Sequence, residues 1–91
     1  IAQLTRGMAE AWSRPGAGIT ANAIAPGFFK TQLTAPLFDK PEVVEALARQ
    51  TTMKRVGFAE DIQGLTMFLA SPASDYITGQ VIHIDGGWTA I

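Results

Sequence analysis

Two short apolar runs, each closed by a turn-forming pair, constrain the fold of this chain more than any other feature. The first is Ile19–Ala25, which Pro26 and Gly27 end, and the second is Gln80–Asp85, which a Gly-Gly pair ends. Neither run alternates cleanly between apolar and polar residues, which is typical of strands in a parallel sheet that is covered on both faces. We therefore predict two buried parallel strands, the first of them central in its sheet.

Helical patterns separate and flank these runs. Apolar residues recur at helical spacing from Ile1 to Arg14, where Pro15 stops the pattern. A short helix is predicted within Lys40–Gln50, with Pro41 at its first position, and a longer one over Phe58–Ser71. Strands that alternate with helices predict an α/β fold with a parallel sheet.

Composition excludes several classes of function. The net charge of the 91-residue chain is −1 and its lysines and arginines do not cluster, so neither nucleic acid nor an anionic membrane is an expected partner. No apolar run approaches the roughly 18 residues of a membrane span. The chain has no cysteine, which fits the reducing cytoplasm, and no expected metal site.

The Pro26-Gly27 corner is the candidate binding site. Ligands of open α/β sheets bind at the carboxyl ends of strands. Gly27 has no Cβ, so a flat ligand could approach the backbone, and the N–H groups of Phe28 and Phe29 could hydrogen-bond its amide or carbonyl group. The hydroxyl of Thr31 could reach a phosphate oxygen. From these residues alone, a plain turn is the commoner interpretation of Pro-Gly after a strand.

Three segments in order, "NAIAPGFFKT", "GFAEDI" and "SPASDYITGQVIHIDGG", resemble the C-terminal part of a short-chain dehydrogenase/reductase. The resemblance implies a Rossmann-type doubly wound parallel sheet, and NAD or NADP as the cofactor for interconverting an alcohol and a ketone. It places Pro26 and Gly27 beside the nicotinamide ring and the backbone of Phe29 at the carboxamide. It places Thr31 at the carboxamide or pyrophosphate, and makes residues 32–53 a loop that closes over a small-molecule substrate.

The chain lacks other parts that the resemblance implies. The Gly-rich phosphate loop and the catalytic Ser, Tyr and Lys are missing; Tyr76 is followed four residues later by Gln80, where the motif needs lysine. We therefore expect residues 1–91 to be the C-terminal portion of one domain of a longer enzyme, with no catalytic residue and no activity alone.

Within that family the chain looks most like gluconate 5-dehydrogenases and related sugar-acid or polyol dehydrogenases, followed by 3-oxoacyl-[acyl-carrier-protein] reductases. The resemblance also implies a homotetramer that uses the last strand and the preceding helix, Glu60 to Ala70. The alternative is a non-catalytic α/β fragment or oligomerisation module.

Four polar residues have alternative roles. Asn22 is expected to make structural hydrogen bonds rather than substrate contacts, because a polar group in a strand needs partners. Asp85 is expected to accept turn N–H groups rather than to bind a metal. Arg55 either steers an anionic substrate or forms a salt bridge. His83 is expected to be a core or interface residue rather than a general base.

Overall fold

The computed structural model describes residues 1–30 and 34–90. Its elements follow the predicted order of helices and strands. They are α1 (Ala2–Trp12), β1 (Ala23–Pro26), α2 (Ala35–Phe38), α3 (Pro41–Arg49), α4 (Ala59–Leu69) and β2 (Val81–Ile84), with short 3₁₀ turns at Pro72–Ser74 and Trp88–Ala90. The predicted helices are confirmed, and α2 is an additional turn of helix that begins with Pro at one of its first positions.

The two strands pair in parallel. Gly79 N–H donates to Ala21 C=O (2.7 Å), and Ala23 N–H donates to Gln80 C=O (2.8 Å). Partner numbers rise together along the two segments, which defines a parallel register. The strands are neighbours in a two-stranded sheet, and the connection between them contains α2, α3 and α4. The α/β fold with parallel strands is therefore confirmed.

The bounds of β1 differ from the prediction. The strand begins at Ala23 and not at Ile19, whose N–H donates to Trp12 C=O (3.2 Å) and whose own C=O accepts from the Ser13 hydroxyl (2.7 Å). These bonds tie Ile19 to the end of α1, and Ile19 is about half exposed. Pro26 is the last residue of the strand, and its missing N–H is tolerated because β1 is an edge strand of the described two-stranded sheet.

The prediction that both strands are buried is wrong for the described residues. Most positions of β1 and β2 are half-buried, while Pro26 and His83 are exposed. The reason is that no helix packs extensively against either strand in the described residues, so the faces of the two-stranded sheet are only partly covered. The expectation of a central first strand is likewise not met among these residues.

The chain forms two compact units. The first comprises residues 1–25 and 65–82, and its buried residues are the small side chains of Thr5, Ala9, Ala21 and Ser74. A chain of hydroxyl groups closes this unit: Ala21 N–H donates to Thr78 Oγ1 (3.1 Å), which lies 2.7 Å from Ser13 Oγ. Because the Ser13 hydroxyl already donates to Ile19 C=O, the Thr78 hydroxyl is the donor to Ser13.

The second unit comprises residues 26–64 together with the segment from His83 onward. Its buried residues are Phe29, Phe38, Thr51 and Val56. Helix α3 within it begins with Pro41, carries Glu42 in its first turn and Arg49 in its last, so both charges favour the helix dipole.

Large apolar side chains remain exposed on both units. Helix α4 has no buried residue, and Met67 on it is 73% exposed. No helix in the described part of the chain combines the length and the apolar character needed to cross a lipid bilayer.

Candidate functional site

The Pro26-Gly27 corner lies at the carboxyl end of β1, as predicted. Gly27 N–H donates to Ile84 C=O (3.1 Å), so the corner follows the pairing of the strands without a break. A Cβ on Gly27 would lie 2.7 Å from the Cβ of Asp85 and 2.9 Å from its Cα. The structure thus supplies a packing reason for glycine at this position, which is the close passage of Asp85.

Beyond the corner, residues 28–30 run beside Gly57 as a parallel bridge. Gly57 N–H donates to Phe28 C=O (2.7 Å), and Lys30 N–H donates to Gly57 C=O (3.0 Å). Peptide groups alternate in direction along an extended chain, so the N–H and C=O groups of Phe29 itself face away from Gly57. The bridge therefore presents the Phe29 peptide groups on the opposite side.

The Phe29 peptide groups keep hydrogen-bonding capacity. Its C=O accepts the Thr34 hydroxyl (2.9 Å) and retains a second lone pair. Within residues 1–30 and 34–90, no acceptor pairs with Phe29 N–H. This donor, which no described residue uses, and the partly used acceptor on the same residue can bind a ligand that offers an adjacent acceptor and donor, which is the pattern of a primary carboxamide.

The two phenylalanines pack in different ways. Phe29 is buried and belongs to the core of the second unit. Phe28 is half-buried, and its ring centroid lies 5.5 Å from that of Trp88 with a tilt of 53° between the planes. Such tilted aromatic pairs are favourable beyond the area they bury.

A cavity of about 180 Å³ lies beside this segment. Its walls are Phe28, Phe29, Met53, Arg55, Val56, Gly57, Asp61, Ile84, Asp85 and Gly86. Ligand pockets for drug-sized molecules span about 300–1,000 Å³, so this cavity suits a small group and not a whole dinucleotide. Of the residues predicted to bind the cofactor, Phe29 lines it, whereas Pro26 and Gly27 form the adjoining backbone.

Thr31, the fourth predicted cofactor residue, lies outside the described residues. Pro26, Gly27 and Phe29 are together at the end of β1, but no finding tests their binding role. That role stays a prediction for all four residues.

The charged residues of the cavity wall are engaged with the protein. Arg55 donates through Nη1 and Nη2 to the two carboxylate oxygens of Asp61 (2.9 and 3.2 Å). The hydrogen bond from Arg55, with a second from Phe58 N–H (2.8 Å), lowers the pKa of Asp61 to about 2. The same pair raises the pKa of Arg55. The salt-bridge interpretation of Arg55 is confirmed.

Asp61 also closes the start of α4. Its carboxylate reaches back to Phe58 N–H, while its own N–H donates to Phe58 C=O (2.9 Å). The contact from the Asp61 carboxylate is one half of a capping box, with Asp at the third helical position, and it satisfies the N–H of Phe58, whose own side chain has no acceptor for the other half.

Asp85 behaves as the predicted turn residue. Its carboxylate accepts from Gly87 N–H (3.0 Å), Thr89 N–H (3.3 Å) and the Thr89 hydroxyl (2.8 Å). These bonds, chiefly the one from the Thr89 hydroxyl, lower the pKa of Asp85. His83 is exposed among the described residues, so this chain shows no core role for it, and both the core and the interface alternatives stay predictions for the complete domain.

Asn22, in the first unit, makes structural hydrogen bonds at both ends of its amide. Its Nδ2 donates to Ile77 C=O (3.0 Å), and its Oδ1 accepts from Gln80 N–H (3.1 Å). The prediction of a structural role is confirmed.

Sequence reasoning did not single out Thr51. It is 1% exposed, its hydroxyl donates to Ala48 C=O (2.9 Å), and it accepts from Arg55 N–H (3.3 Å). Thr51 and Thr52 are adjacent and follow the same helix, so the sequence does not indicate that the first is buried and the second exposed. Gly57 was noted only as part of a motif, and its bridge to Phe29 has no local sequence signal.

No group of three or more potential metal-ligating side chains occurs in the portion of the chain that the structure covers.

Comparison with known proteins identifies relatives over nearly the whole chain. Residues 1–89 match the family model described as enoyl-(acyl carrier protein) reductase. A tropinone reductase homologue of Arabidopsis thaliana is 47% identical over 87 residues, which are 96% of this chain and 32% of the relative. Galactitol 2-dehydrogenase (L-tagatose-forming) of Cereibacter sphaeroides is 40% identical over 89 residues, 98% of this chain and 34% of the relative. The chain thus spans about a third of the length of these relatives.

A solved structure shows the same fold. The gluconate 5-dehydrogenase of Burkholderia cenocepacia, in complex with NADP and tartrate, matches with a TM-score of 0.87 and 40% identity. The match covers 99% of this chain and 34% of that one. The predicted likeness to gluconate and polyol dehydrogenases is confirmed, whereas tropinone reductases were not among the predicted relatives.

Proposed function

The chain belongs to the short-chain dehydrogenase/reductase family, and on that premise we propose that it is the C-terminal portion of an NAD(P)-dependent oxidoreductase. The proposed reaction interconverts an alcohol and a ketone of a sugar acid, a polyol or a 3-oxoacyl compound by hydride transfer. In this proposal residues 1–91 are part of a single Rossmann-type domain, and the catalytic groups lie in the portion of relatives that this chain does not match.

The peptide of Phe29 carries the proposal. A nicotinamide carboxamide has a C=O that can accept from Phe29 N–H and an NH₂ that can donate to Phe29 C=O. Both groups face away from the Gly57 bridge, at the carboxyl end of a parallel strand where α/β folds bind ligands. The gluconate 5-dehydrogenase with 40% identity was solved with NADP, which supports NAD or NADP as the cofactor.

The residues present fit the nicotinamide end of such a cofactor. Phe29 would hold the carboxamide, Pro26 and Gly27 would lie beside the ring, and Thr31 would contact the carboxamide or pyrophosphate. The bound cofactor would supply or accept the hydride. The chain's own residues orient the nicotinamide and exclude water from one side of it, so they contribute positioning rather than proton transfer.

Residues 32–53 are proposed as the substrate loop. Their described part contains α2 and α3, and Met53 at the end of the segment lines the cavity beside Phe28. A small substrate would enter from this side. The proposal includes a cytoplasmic homotetramer that forms through α4 and β2.

A non-catalytic oligomerisation module is the second candidate, and the exposed apolar side chains of α4 provide a surface on which it could assemble. No residue of that helix is buried, and Met67 and Phe68 are 73% and 40% exposed. A subunit interface on α4 is compatible with either candidate, so activity decides between them.

The test uses the complete polypeptide that carries this chain. Absorbance of the reduced nicotinamide is followed with NAD or NADP and a panel of sugar acids and polyols, and in reverse with keto-acyl thioesters. Turnover with at least one pair supports the oxidoreductase. A stable oligomer without turnover on any pair supports the second candidate.

A variant pair tests the role of the Phe29 peptide. Phe29→Pro removes the N–H that no described residue uses, while Phe29→Val keeps it and shortens the side chain. A lost hydrogen bond of about 1–1.5 kcal/mol predicts that the proline variant raises the KM for cofactor about tenfold relative to the valine variant. Equal KM values for the two variants would contradict the proposed contact.

A further inference from the structure

The proposed carboxamide site depends on how Phe29 is held, and Gly57 holds it. The two hydrogen bonds of the parallel bridge join Gly57 to the residues on either side of Phe29, Phe28 and Lys30 (2.7 and 3.0 Å). They fix the direction of the peptide groups that flank Phe29. The direction of the Phe29 N–H and C=O groups is therefore set from the Gly57 side.

The bridge also requires glycine at position 57, because the ring of Phe29 packs against it. A Cβ added to Gly57 would overlap the ring of Phe29, and would lie 2.6 Å from its Cδ1 and 2.7 Å from its Cζ. The backbone of Gly57 has no positive φ angle, so conformational strain is not the reason for glycine here. Because Phe29 is buried, moving its ring away from a Cβ at position 57 would disturb the packing of the core around it.

The segment that carries Gly57 is itself anchored. Val56 is buried, and Arg55 N–H donates to the hydroxyl of buried Thr51 (3.3 Å). The guanidinium of Arg55 pairs with Asp61 at the start of α4. Both ends of the segment are therefore attached to neighbouring structure, so Gly57 can act as a fixed support.

A second attachment reaches the turn after β2. Met53 N–H donates to Gly86 C=O (3.0 Å), and the Thr52 hydroxyl donates to Gly87 C=O (3.1 Å). Residues 51–57 thus form a support, here called the Thr51–Gly57 brace, that joins the end of α3, the turn after β2 and Phe29.

We propose that Gly57 is a positioning residue of the nicotinamide site, which the Thr51–Gly57 brace holds against Phe29 so that the peptide of Phe29 can bind the carboxamide. Gly57 does not touch the cofactor in this proposal. The inference rests on the proposed function, because it assigns the support of that same site.

The experiment compares two ligands in the complete polypeptide. One is the reduced cofactor, and the other is the matching ADP-ribose, or its 2′-phosphate, which has no nicotinamide. Gly57→Ala should raise the Kd for the reduced cofactor about tenfold, as expected for the loss of one or two hydrogen bonds. The Kd for the ADP-ribose ligand should stay within about twofold, because that ligand makes no carboxamide contact.

A compensating variant provides the matched control. Phe29→Val removes the ring atoms that a Cβ at position 57 would meet, while keeping the backbone groups. The double variant Gly57→Ala/Phe29→Val should therefore bind the reduced cofactor nearly as well as Phe29→Val alone. Thr20→Val, at an exposed position in the other unit, should leave both Kd values unchanged.

Three results would overturn the inference: an unchanged cofactor Kd in Gly57→Ala, an equal loss for both ligands, or no recovery in the double variant. If Gly57→Ala does not fold, Thr51→Val loosens the other end of the brace. It should give a smaller loss that is again selective for the reduced cofactor, and an equal loss for both ligands would again overturn the inference.

Failure of the proposed function has a different signature. A wild-type protein that binds neither ligand would end the oxidoreductase proposal. Hydrogen exchange of the Lys30 amide, which donates to Gly57 C=O, then decides whether the brace holds Phe29. Faster exchange in Gly57→Ala with recovery in the double variant supports the brace, and unchanged exchange overturns it.

Discussion

Replacing Thr51 by Val tests whether a single buried hydroxyl group stabilises the end of α3. Valine has nearly the shape of threonine but no hydroxyl. Thr51 is 1% exposed, and its Oγ1 donates to Ala48 C=O (2.9 Å) and accepts from Arg55 N–H (3.3 Å). Thr51→Val therefore leaves one acceptor and one donor without their partner.

The size of the effect follows from these two bonds. Each net hydrogen bond contributes about 1 kcal/mol, so the substitution should lower the free energy of unfolding by about 2 kcal/mol. Thr51→Ser keeps both bonds and deletes one buried methyl group, which costs about 1 kcal/mol. If the hydroxyl group stabilises the fold, Thr51→Ser should have a higher free energy of unfolding than Thr51→Val. If burial of apolar surface alone decided stability, Thr51→Val would be the more stable variant.

Equilibrium urea denaturation of the complete polypeptide measures the difference. With a slope of about 2 kcal/mol/M, the midpoint should fall by about 1 M for Thr51→Val and by about 0.5 M for Thr51→Ser. Thr20→Val, at an exposed position in the other unit, serves as the control and should lie close to wild type. A valine variant as stable as wild type, or more stable than the serine variant, would refute the reasoning.

Two further predictions concern Asn22 and Asp61. Asn22→Ala should lower the free energy of unfolding by about 1–2 kcal/mol, because Ile77 C=O and Gln80 N–H lose their partner. Asn22→Asp should be no more stable than Asn22→Ala at pH 7, since its carboxylate has no donor for Ile77 C=O. An Asn22→Asp variant as stable as wild type in urea denaturation would contradict this role. The pKa of Asp61, about 2 in the folded chain, lies below its usual value of 3.8, so the folded state favours the carboxylate. The contribution of the ionised Asp61 carboxylate to the free energy of unfolding is complete above about pH 4 and declines as the pH falls toward 2. Asp61→Asn lacks that contribution, so the gap in denaturation midpoint between it and wild type should narrow over this range; a constant gap would show that the pair with Arg55 is not responsible.

The elements of the fold were predictable because their signals are local. Apolar residues at helical spacing define α1 and α4, and Pro41 followed by Glu42 marks the start of α3. Their pattern does not depend on where the rest of the chain goes. The order of elements then predicts parallel strands, because two strands joined through helices return in the same direction.

The bounds and burial of the strands were less predictable. Ile19 fits a strand by its own character, but its backbone pairs with the end of α1 instead. The competing partner is a helix terminus whose position the local sequence does not indicate. Burial of β1 and β2 likewise depends on which elements cover the two faces of the sheet, and the residues of the strands do not indicate that.

Some features of the candidate site follow from local sequence, and others depend on contacts between distant residues. The sequence by itself determined that a Pro-Gly corner follows an apolar strand, and its motifs identified the family and the residues that bind the cofactor in the proposal. Only the tertiary structure decided that Gly27 is glycine because Asp85 passes beside it, and that Gly57 supports Phe29. Local patterns report the conformation of neighbouring residues, whereas these contacts join residues far apart in the chain. Their energy comes from close packing and from hydrogen bonds that exist only once the chain has folded.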